Sequence, residues 1–248
     1  FRSILGVDMM KYLWSVLLIF SLLMGGLPPS SAFAEVGPGE RFTDVPPGHW
    51  AEQDIYRLKE LKITDGRGDG TFGLDHSVTR AEFVAFLIKL LDLDVQGLQQ
   101  EAVFNDVKQT DWHWGYINAA LKNKIILEKE YDGGKFEPDK KITREEMAIM
   151  IVRALQYDYL ARLLEPEVNP FDDVSINKGH IAIAKDFGII NGKSPDQFAP
   201  GDYALRQEAA AMLVRMYNIL NNKIKTLHGF YAIRSYHQMD NMNVFDTV

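Results

Sequence analysis

The segment Phe42-Thr43-Asp44-Val45 returns as Phe104-Asn105-Asp106-Val107 and again as Phe171-Asp172-Asp173-Val174, at spacings of 62 and 67 residues. Self-similarity at such a period is typical of tandem repeats, in which each copy is one supersecondary unit that buries its apolar face against its neighbours. The recurrence therefore predicts three repeats, which we place at residues 41–98, 103–164 and 170–221.

Each copy continues on the same plan after its opening segment. A first helical stretch, around Ile55, Ile117 or Ile181, leads into a turn-rich loop with a Phe, and an Arg follows that Phe by eight residues in every copy. Apolar residues then recur at helical intervals, which predicts a mainly α fold of two helices per repeat. The fixed spacing of the Phe residues to the helices predicts that they pack in the core. These residues are Phe42, Phe72, Phe104, Phe136, Phe171 and Phe198.

The second helix of each repeat has a recognisable start in two copies. Thr79-Arg80-Ala81-Glu82 and Thr143-Arg144-Glu145-Glu146 both match the capping box, in which a Thr hydroxyl and a Glu carboxylate satisfy N–H groups of the first turn. Repeat three has Leu205-Arg206-Gln207-Glu208 instead. Because Leu205 has no hydroxyl, that helix is predicted to begin less firmly, by roughly 1 kcal/mol.

The ordered set of motifs carries a family resemblance. The Phe-x-Asp-Val segment, His49-Trp50-Ala51, Asp69-Gly70-Thr71-Phe72 and Thr79-Arg80-Ala81-Glu82 together resemble the S-layer homology family over roughly residues 41–221. The resemblance implies three repeats in a pseudo-threefold, mostly helical spindle around a central helix bundle. It also implies that grooves between adjacent repeats bind secondary cell-wall polysaccharide, commonly through its pyruvylated sugar. We therefore expect a monomer with an internal pseudo-trimer, an anionic carbohydrate partner, and location at the cell wall or S-layer surface.

An Arg stands in the first turn of the second helix in every repeat, where the helix dipole disfavours a cation by up to about 1 kcal/mol. One explanation is that the Arg fork, beside free backbone N–H groups, receives a ligand carboxylate such as that of a pyruvate ketal. The other is that each Arg pairs with an acid such as Asp44, Asp106 or Asp173 and joins two repeats. The resemblance favours ligand contact, so the candidate ligand residues are Arg80, Arg144, Arg206, Asp44 and Asp106.

Two tryptophans are further candidates. Trp50 and Trp112 follow the opening Phe by eight residues in repeats one and two. An exposed indole can stack on the weakly apolar C–H face of a sugar, although core packing is the other interpretation. Repeat three lacks three residues in this segment and has no equivalent Trp, so its own groove, with Arg206, is predicted to be degraded.

Composition excludes several other classes of function. The net charge of -7 argues against a general attraction to nucleic acid, and the absence of cysteine excludes disulfides, thiolate zinc sites and Cys nucleophiles. The six His residues show no metal-ligand spacing, and no hydrolase or phosphate-binding motif occurs in the repeats. No catalytic residue, metal or cofactor is predicted, and the chain is expected not to be an enzyme.

The two ends of the chain differ from the repeats. Lys11, an apolar run from Tyr12 to about Leu27 and Ala32-Phe33-Ala34 predict a secretory signal peptide over residues 1–34, cleaved after Ala34 and leaving no membrane anchor. The alternative is an uncleaved anchor or a buried helix, and residues 1–8 fit neither interpretation well.

Within residues 222–248, His228-Gly229-Phe230-Tyr231-Ala232-Ile233 resembles the opening strand of family 18 glycoside hydrolases, with a plain tail as the alternative. The predicted function is a binding module that tethers an exported protein to the wall. The alternative is the targeting half of a wall-active glycoside hydrolase.

Overall fold

The computed structural model describes residues 41–96 and 103–221. The predicted signal peptide and the segment 222–248 lie outside the described residues. Within the described part there are seven α-helices and no strands, which confirms the mainly α prediction. The helices are α1 (Glu52–Glu60), α2 (Arg80–Leu90), α3 (Trp114–Lys122), α4 (Arg144–Ala154), α5 (Asp158–Leu164), α6 (Lys178–Asp186) and α7 (Arg206–Asn221). None of them has the length and apolar character needed to cross a membrane.

The helices fall into the predicted repeats, with one addition. Repeat one contains α1 and α2, repeat three contains α6 and α7, and repeat two contains α3 and α4 followed by the unpredicted helix α5. Helix α5 packs against α6 of repeat three. This approach requires glycine, because a Cβ at Gly179 would collide with the carbonyl oxygen of Ala161. Repeat two therefore reaches further over repeat three than a two-helix unit would.

Paired Phe rings form the core of each repeat, as the sequence predicts. The opening Phe lies against the loop Phe with ring centroids 5.7 Å apart in repeat one, 5.4 Å in repeat two and 5.5 Å in repeat three. The six rings are buried, and none is more than 5% exposed. The pairs are Phe42 with Phe72, Phe104 with Phe136, and Phe171 with Phe198.

Both predicted capping boxes are present. The Thr79 hydroxyl accepts from the Glu82 N–H at 3.2 Å and the Glu82 carboxylate accepts from the Thr79 N–H at 2.9 Å, with matching bonds between Thr143 and Glu146. In repeat three the Glu half of the box remains, since Glu208 accepts from the Leu205 N–H at 2.8 Å. The hydroxyl half is missing there, and the weaker start of α7 stays a prediction.

The repeats contact one another in a closed cycle. The first helix of each repeat packs on the second helix of the preceding one: α3 lies on α2, α6 on α4, and α1 on α7. The turns that precede the second helices are joined in the same way. The Val78 N–H donates to the Ala204 carbonyl, the Ala204 N–H to the Ile142 carbonyl, and the Ile142 N–H to the Val78 carbonyl, at 3.1, 2.9 and 3.0 Å. Repeat three thus binds repeat one directly, while the spindle with its central bundle stays a prediction.

Candidate functional site

Each predicted Arg lies at a junction between two repeats. Arg80 donates through Nε and Nη2 to Oε1 of Glu146 at 3.1 and 2.6 Å. Arg144 donates to Oε1 of Glu208 at 2.8 Å, and Arg206 donates to Oε1 of Glu82 at 3.0 Å. The three Arg residues are 6%, 7% and 4% exposed. Every repeat therefore places its Arg on the capping Glu of the next repeat, and the third repeat closes the cycle on the first.

This pairing accounts for a cation in the first turn of a helix. Each Glu uses one carboxylate oxygen for its own cap and the other for the incoming Arg, as Glu146 does with Thr143 and Arg80. The backbone N–H groups beside the Arg are not free, because the Arg80 N–H donates to the Lys140 carbonyl and the Arg144 N–H to the Asp202 carbonyl. The geometry matches the second explanation above, in which an acid joins two repeats. The acid is the capping Glu of the next repeat and not the Asp of the Phe-x-Asp-Val segment.

Those Asp residues have a different set of partners. The Asp44 carboxylate accepts from the N–H groups of Phe72, Gly73 and Leu74 at 2.7–2.8 Å. Asp106 accepts from the N–H groups of Phe136 and Glu137 at 2.9 and 2.8 Å. In both cases the two carboxylate oxygens hold the loop of their own repeat that leads to the Arg. Their direct contact with a ligand stays a prediction.

The pKa of Asp44 makes this loop contact testable. Desolvation alone would raise the pKa, but the N–H groups of Leu74, Phe72 and Gly73 together outweigh it and hold the pKa below the ordinary value of 3.8. A carboxyl whose pKa is depressed in the folded state stabilises the fold above its unfolded pKa, and this contribution is lost as the pH falls through the folded value. We expect Asp44→Asn to lower the free energy of unfolding at pH 7 by about 1–2 kcal/mol.

Urea unfolding at pH 7 and at pH 3 measures this effect. The difference between wild type and Asp44→Asn should shrink at pH 3, because pH 3 lies below the unfolded pKa of 3.8 and the stabilisation by the charge falls as the pH drops from there through the lower folded pKa. Asp65→Asn is the matched control, because Asp65 is exposed and lies in the loop between α1 and α2 that Asp44 holds. It should change the free energy of unfolding little at either pH. Equal destabilisation at both pH values would contradict the assigned role of the Asp44 charge.

Arg144 lies at the edge of a groove of about 230 Å³ that we call the Arg144 groove. Three cations, Arg144, Lys193 and Arg215, face a single carboxylate, that of Glu208. Arg144 also donates to the carbonyls of Phe198 and Asn191, both at 3.0 Å. The remaining lining residues are Trp50, Ile190, Asn191, Gly192, Ala211 and Met212.

Within the described residues no carboxylate lies at ion-pair distance from Arg215, which donates Nη1 to the Ile189 carbonyl at 3.0 Å. Lys193 is exposed and pairs with Asp202. The Trp50 indole is 59% exposed. Arg144 and Lys193 thus each have an acidic partner, whereas Arg215 has none at ion-pair distance among the described residues. Burial raises the pKa of the nearby Asp54 and the Arg215 charge opposes that rise, so Asp54 offsets part of this charge. The Arg144 groove combines these cations with an accessible aromatic face.

The equivalent cavity at the junction of repeats one and two, the Arg80 groove, has a volume of about 390 Å³. It is lined by Arg80, Ile126, Glu130, Tyr131, Glu145, Glu146, Ile149, Met150, Arg153 and Asn177. Arg80 has a second acidic neighbour in Glu137 at 3.2 Å and also donates to the Phe136 carbonyl at 2.7 Å. Acidic residues outnumber basic ones in this groove.

The Arg206 junction, between repeats three and one, is packed differently. The Arg206 guanidinium lies 4.8 Å from the centroid of Phe86 and 5.2 Å from that of Phe72, and Nη2 donates to the Thr64 hydroxyl at 3.2 Å. Burial lowers the pKa of Arg206, and its Nε has no hydrogen-bond partner. Aromatic side chains therefore cover this cation on two sides.

The missing Trp of repeat three affects a groove other than the one predicted. The first helix of each repeat lies on the second helix of the preceding repeat, so Trp50 of repeat one lines the Arg144 groove and Asn177 of repeat three lines the Arg80 groove. The Arg80 groove, and not the Arg206 junction, is therefore the one that lacks an indole from repeat three. Trp112 is 60% exposed next to α3, which packs on α2, and its ligand contact stays a prediction.

The sequence patterns do not predict several residues at these junctions. The Glu residues that pair with the Arg residues are Glu82, Glu146 and Glu208, and the capping motif predicts only a cap for Glu82 and Glu146. A second basic position follows each Arg by nine residues, as Lys89, Arg153 and Arg215. That fixed spacing was visible in the sequence and could have identified Arg153 and Arg215 as groove residues.

Comparison with known proteins extends the sequence resemblance. A family model described as the S-layer homology domain matches residues 41–84, 103–148 and 170–210, which is more than half of the chain. The chain is 37% identical to the Exoglucanase XynX of Acetivibrio thermocellus over 187 residues and 35% identical to the Amylopullulanase of Thermoanaerobacterium thermosulfurigenes over 189 residues. It is also 35% identical to the Surface layer protein of Brevibacillus choshinensis over 153 residues.

These matches cover 73%, 74% and 60% of this chain, in the same order. The chain spans only 16%, 10% and 12% of the length of the three relatives. The matches thus leave most of the length of each relative unmatched.

Proposed function

Because this chain belongs to the S-layer homology family, we propose that it anchors an exported protein to the wall by non-covalent binding of an anionic wall polysaccharide in the grooves between its repeats. Membership of the family and the relatives named as surface layer and cell wall proteins place the protein at the cell surface. The proposed role is binding, and most of each matched relative lies outside the part shared with this chain.

The composition of the Arg144 groove carries this proposal. A groove with three cations, one carboxylate and an exposed indole suits a ligand that is negatively charged at one point and weakly apolar over one face. A sugar with a carboxylate substituent has both properties. A pyruvate ketal on a wall polysaccharide supplies such a carboxylate, and an Arg fork can bind it through two parallel hydrogen bonds.

A second candidate function is the targeting half of a wall-active glycoside hydrolase. The observation that favours it is the identity with relatives named Exoglucanase XynX and Amylopullulanase, which share this part over 10–16% of their length. Both candidates use the same grooves and differ only in the protein that the module carries.

Sedimentation with purified wall sacculi tests the proposal. We expect the purified chain to sediment with sacculi that keep their secondary polysaccharide and to stay in the supernatant when that polymer has been stripped. Binding to bare peptidoglycan would contradict the polysaccharide assignment and favour a peptidoglycan-binding module. Binding to the stripped polymer in solution should compete with the sacculi.

The two exposed tryptophans give a matched pair of variants for the same assay. Trp50 lines the Arg144 groove, whereas Trp112 is equally exposed but lines neither of the two grooves. Loss of a stacking face should weaken binding by about three- to tenfold in Trp50→Ala, with a smaller change in Trp112→Ala. An equal loss in both variants would argue against the Arg144 groove as the principal site.

A further inference from the structure

The two grooves are built from equivalent positions but differ in charge. Three cations line the Arg144 groove with the carboxylate of Glu208, and Asp202 beside the groove pairs with Lys193, so cations still outnumber acids. In the Arg80 groove two cations, Arg80 and Arg153, face the carboxylates of Glu130, Glu145 and Glu146. Unlike charges attract at short range in a partly desolvated groove, and like charges repel. An anionic ligand is therefore favoured in the first groove and disfavoured in the second.

Glu130 accounts for much of this difference. Its two carboxylate oxygens accept from Nη1 and Nη2 of Arg153, both at 2.6 Å, which is the two-pronged arrangement that an external carboxylate would adopt. Arg153 Nε donates to Asp158 at 3.0 Å, so this guanidinium pairs with two acids. Arg215 occupies the same position in α7 and has no carboxylate at ion-pair distance among the described residues.

The position of Glu130 follows from the length of one loop. Ile63, Ile125 and Ile189 are equivalent, because each donates its N–H at 2.9 Å to the same turn of the first helix in its repeat. Phe136 follows Ile125 by eleven positions in repeat two, but Phe72 follows Ile63 and Phe198 follows Ile189 by nine positions. The longer loop of repeat two forms two short 3₁₀ turns, Glu128–Glu130 and Asp132–Gly134. The first turn carries Glu130 to Arg153.

Two further differences between equivalent positions also disfavour an external anion in the Arg80 groove. Arg80 pairs with Glu137, whereas the equivalent neighbour of Arg144 is Ala199, which has no charge. Ile176 stands where Trp50 does, directly before the N-cap of the first helix, and the N-cap itself, Asn177, lines the Arg80 groove and donates to Glu145 at 3.3 Å. The Arg80 groove has thus lost the indole and gained internal acids.

We propose that Glu130 is a built-in carboxylate that occupies the Arg80 groove, so that of these two grooves only the Arg144 groove takes the carboxylate of the sugar ligand. The inference rests on the proposed function, because it assigns the ligand of that function to one groove. Glu130 is a specificity-determining residue, since it decides which groove accepts an external anion.

Calorimetric titration of the purified chain tests the assignment. The probe is a monosaccharide that carries a pyruvate ketal, the reference is the same sugar without the ketal, and stripped wall polysaccharide is a second probe. Glu130→Gln keeps a hydrogen-bond acceptor for Arg153 but removes the charge. We expect it to add one ketal-binding site per chain, because the affinity of the Arg80 groove rises by about tenfold or more.

Glu128→Gln is the matched control, since it removes the same charge from the same turn, and the acids bonded to Arg153 among the described residues are Glu130 and Asp158. Its stoichiometry should equal that of wild type. Thermal unfolding verifies that each variant is folded, and Glu130→Ala repeats the test without the amide. In the Glu130→Gln background, Arg215→Ala should remove the original site and leave the new one.

The titrations distinguish failure of the inference about Glu130 from failure of the proposed function. If wild type binds the ketal sugar and folded Glu130→Gln and Glu130→Ala gain no site, the inference about Glu130 is overturned and the proposed function stands. If wild type already binds equally in both grooves, the inference is also overturned. If neither probe binds to wild type or to any variant, the proposed function fails and the inference fails with it.

Discussion

Arg80→Ala is expected to lower the free energy of unfolding by about 3 kcal/mol, because it breaks a buried pair between two repeats. The guanidinium donates to Glu146 and to the Phe136 carbonyl, and its removal leaves both without that donor. Glu146 is 27% exposed, so water partly replaces the lost bond and the effect should fall at the low end for buried pairs. Urea unfolding monitored by circular dichroism measures the change.

A double variant distinguishes the contribution of the Arg80–Glu146 ion pair to stability from that of the packing of the Arg80 side chain. Arg80→Met with Glu146→Gln removes both charges, keeps an acceptor at the cap of α4, and should recover part of the stability lost in Arg80→Ala. Arg57→Ala, which breaks a more exposed pair with Glu60, should cost less than about 1 kcal/mol. An Arg80→Ala variant that is as stable as Arg57→Ala would contradict a structural role for the Arg80–Glu146 pair.

Arg215→Ala is expected to weaken binding to the wall polysaccharide by about ten- to a hundredfold, because it removes a charge-assisted hydrogen bond that contributes about 1.5–3 kcal/mol. Arg215 is half-buried and has no ion pair among the described residues. Its replacement removes the bond to the Ile189 carbonyl and the positive charge near Asp54, so it should lower the free energy of unfolding by only about 1 kcal/mol, less than Arg80→Ala. Calorimetric titration with stripped polysaccharide, together with thermal unfolding, measures the two effects separately.

Arg215→Lys provides the geometric control for this site. An ammonium keeps the charge but not the planar fork, so Arg215→Lys should recover only part of the affinity. Full recovery would indicate general charge attraction in place of a two-pronged contact. Unchanged affinity in folded Arg215→Ala would remove Arg215 from the binding site.

Much of the fold could be predicted from the sequence because it is encoded locally and three times. The Phe positions confirm this, since a fixed spacing to a helix places the same side chain in the same core in every copy. The capping boxes at Thr79 and Thr143 confirm it as well, because each cap depends only on residues three positions apart. Helix α5 was not predicted, since it belongs to one repeat alone.

The contacts between repeats could not be predicted in the same way. The sequence shows an unfavourable cation at Arg80, but its partner Glu146 lies 66 residues further along and is defined only by the order in which the repeats meet. The same order decides that Asn177 lies in the Arg80 groove, so the absence of a Trp in repeat three does not identify which groove is affected. Spacing within a repeat carries no information about either contact.

The hydrogen bonds that join Val78, Ala204 and Ile142 in a cycle determine how many copies the fold can contain. In an open array a further repeat adds to a free end, and one can be lost without breaking the rest. In this fold repeat one already packs on the face of repeat three to which a fourth repeat would bind. The closing contacts join residues as far as 142 positions apart, between Arg206 and Thr64. Loop closure over such separations slows folding, so the assembly cannot be completed until its last third has been synthesised.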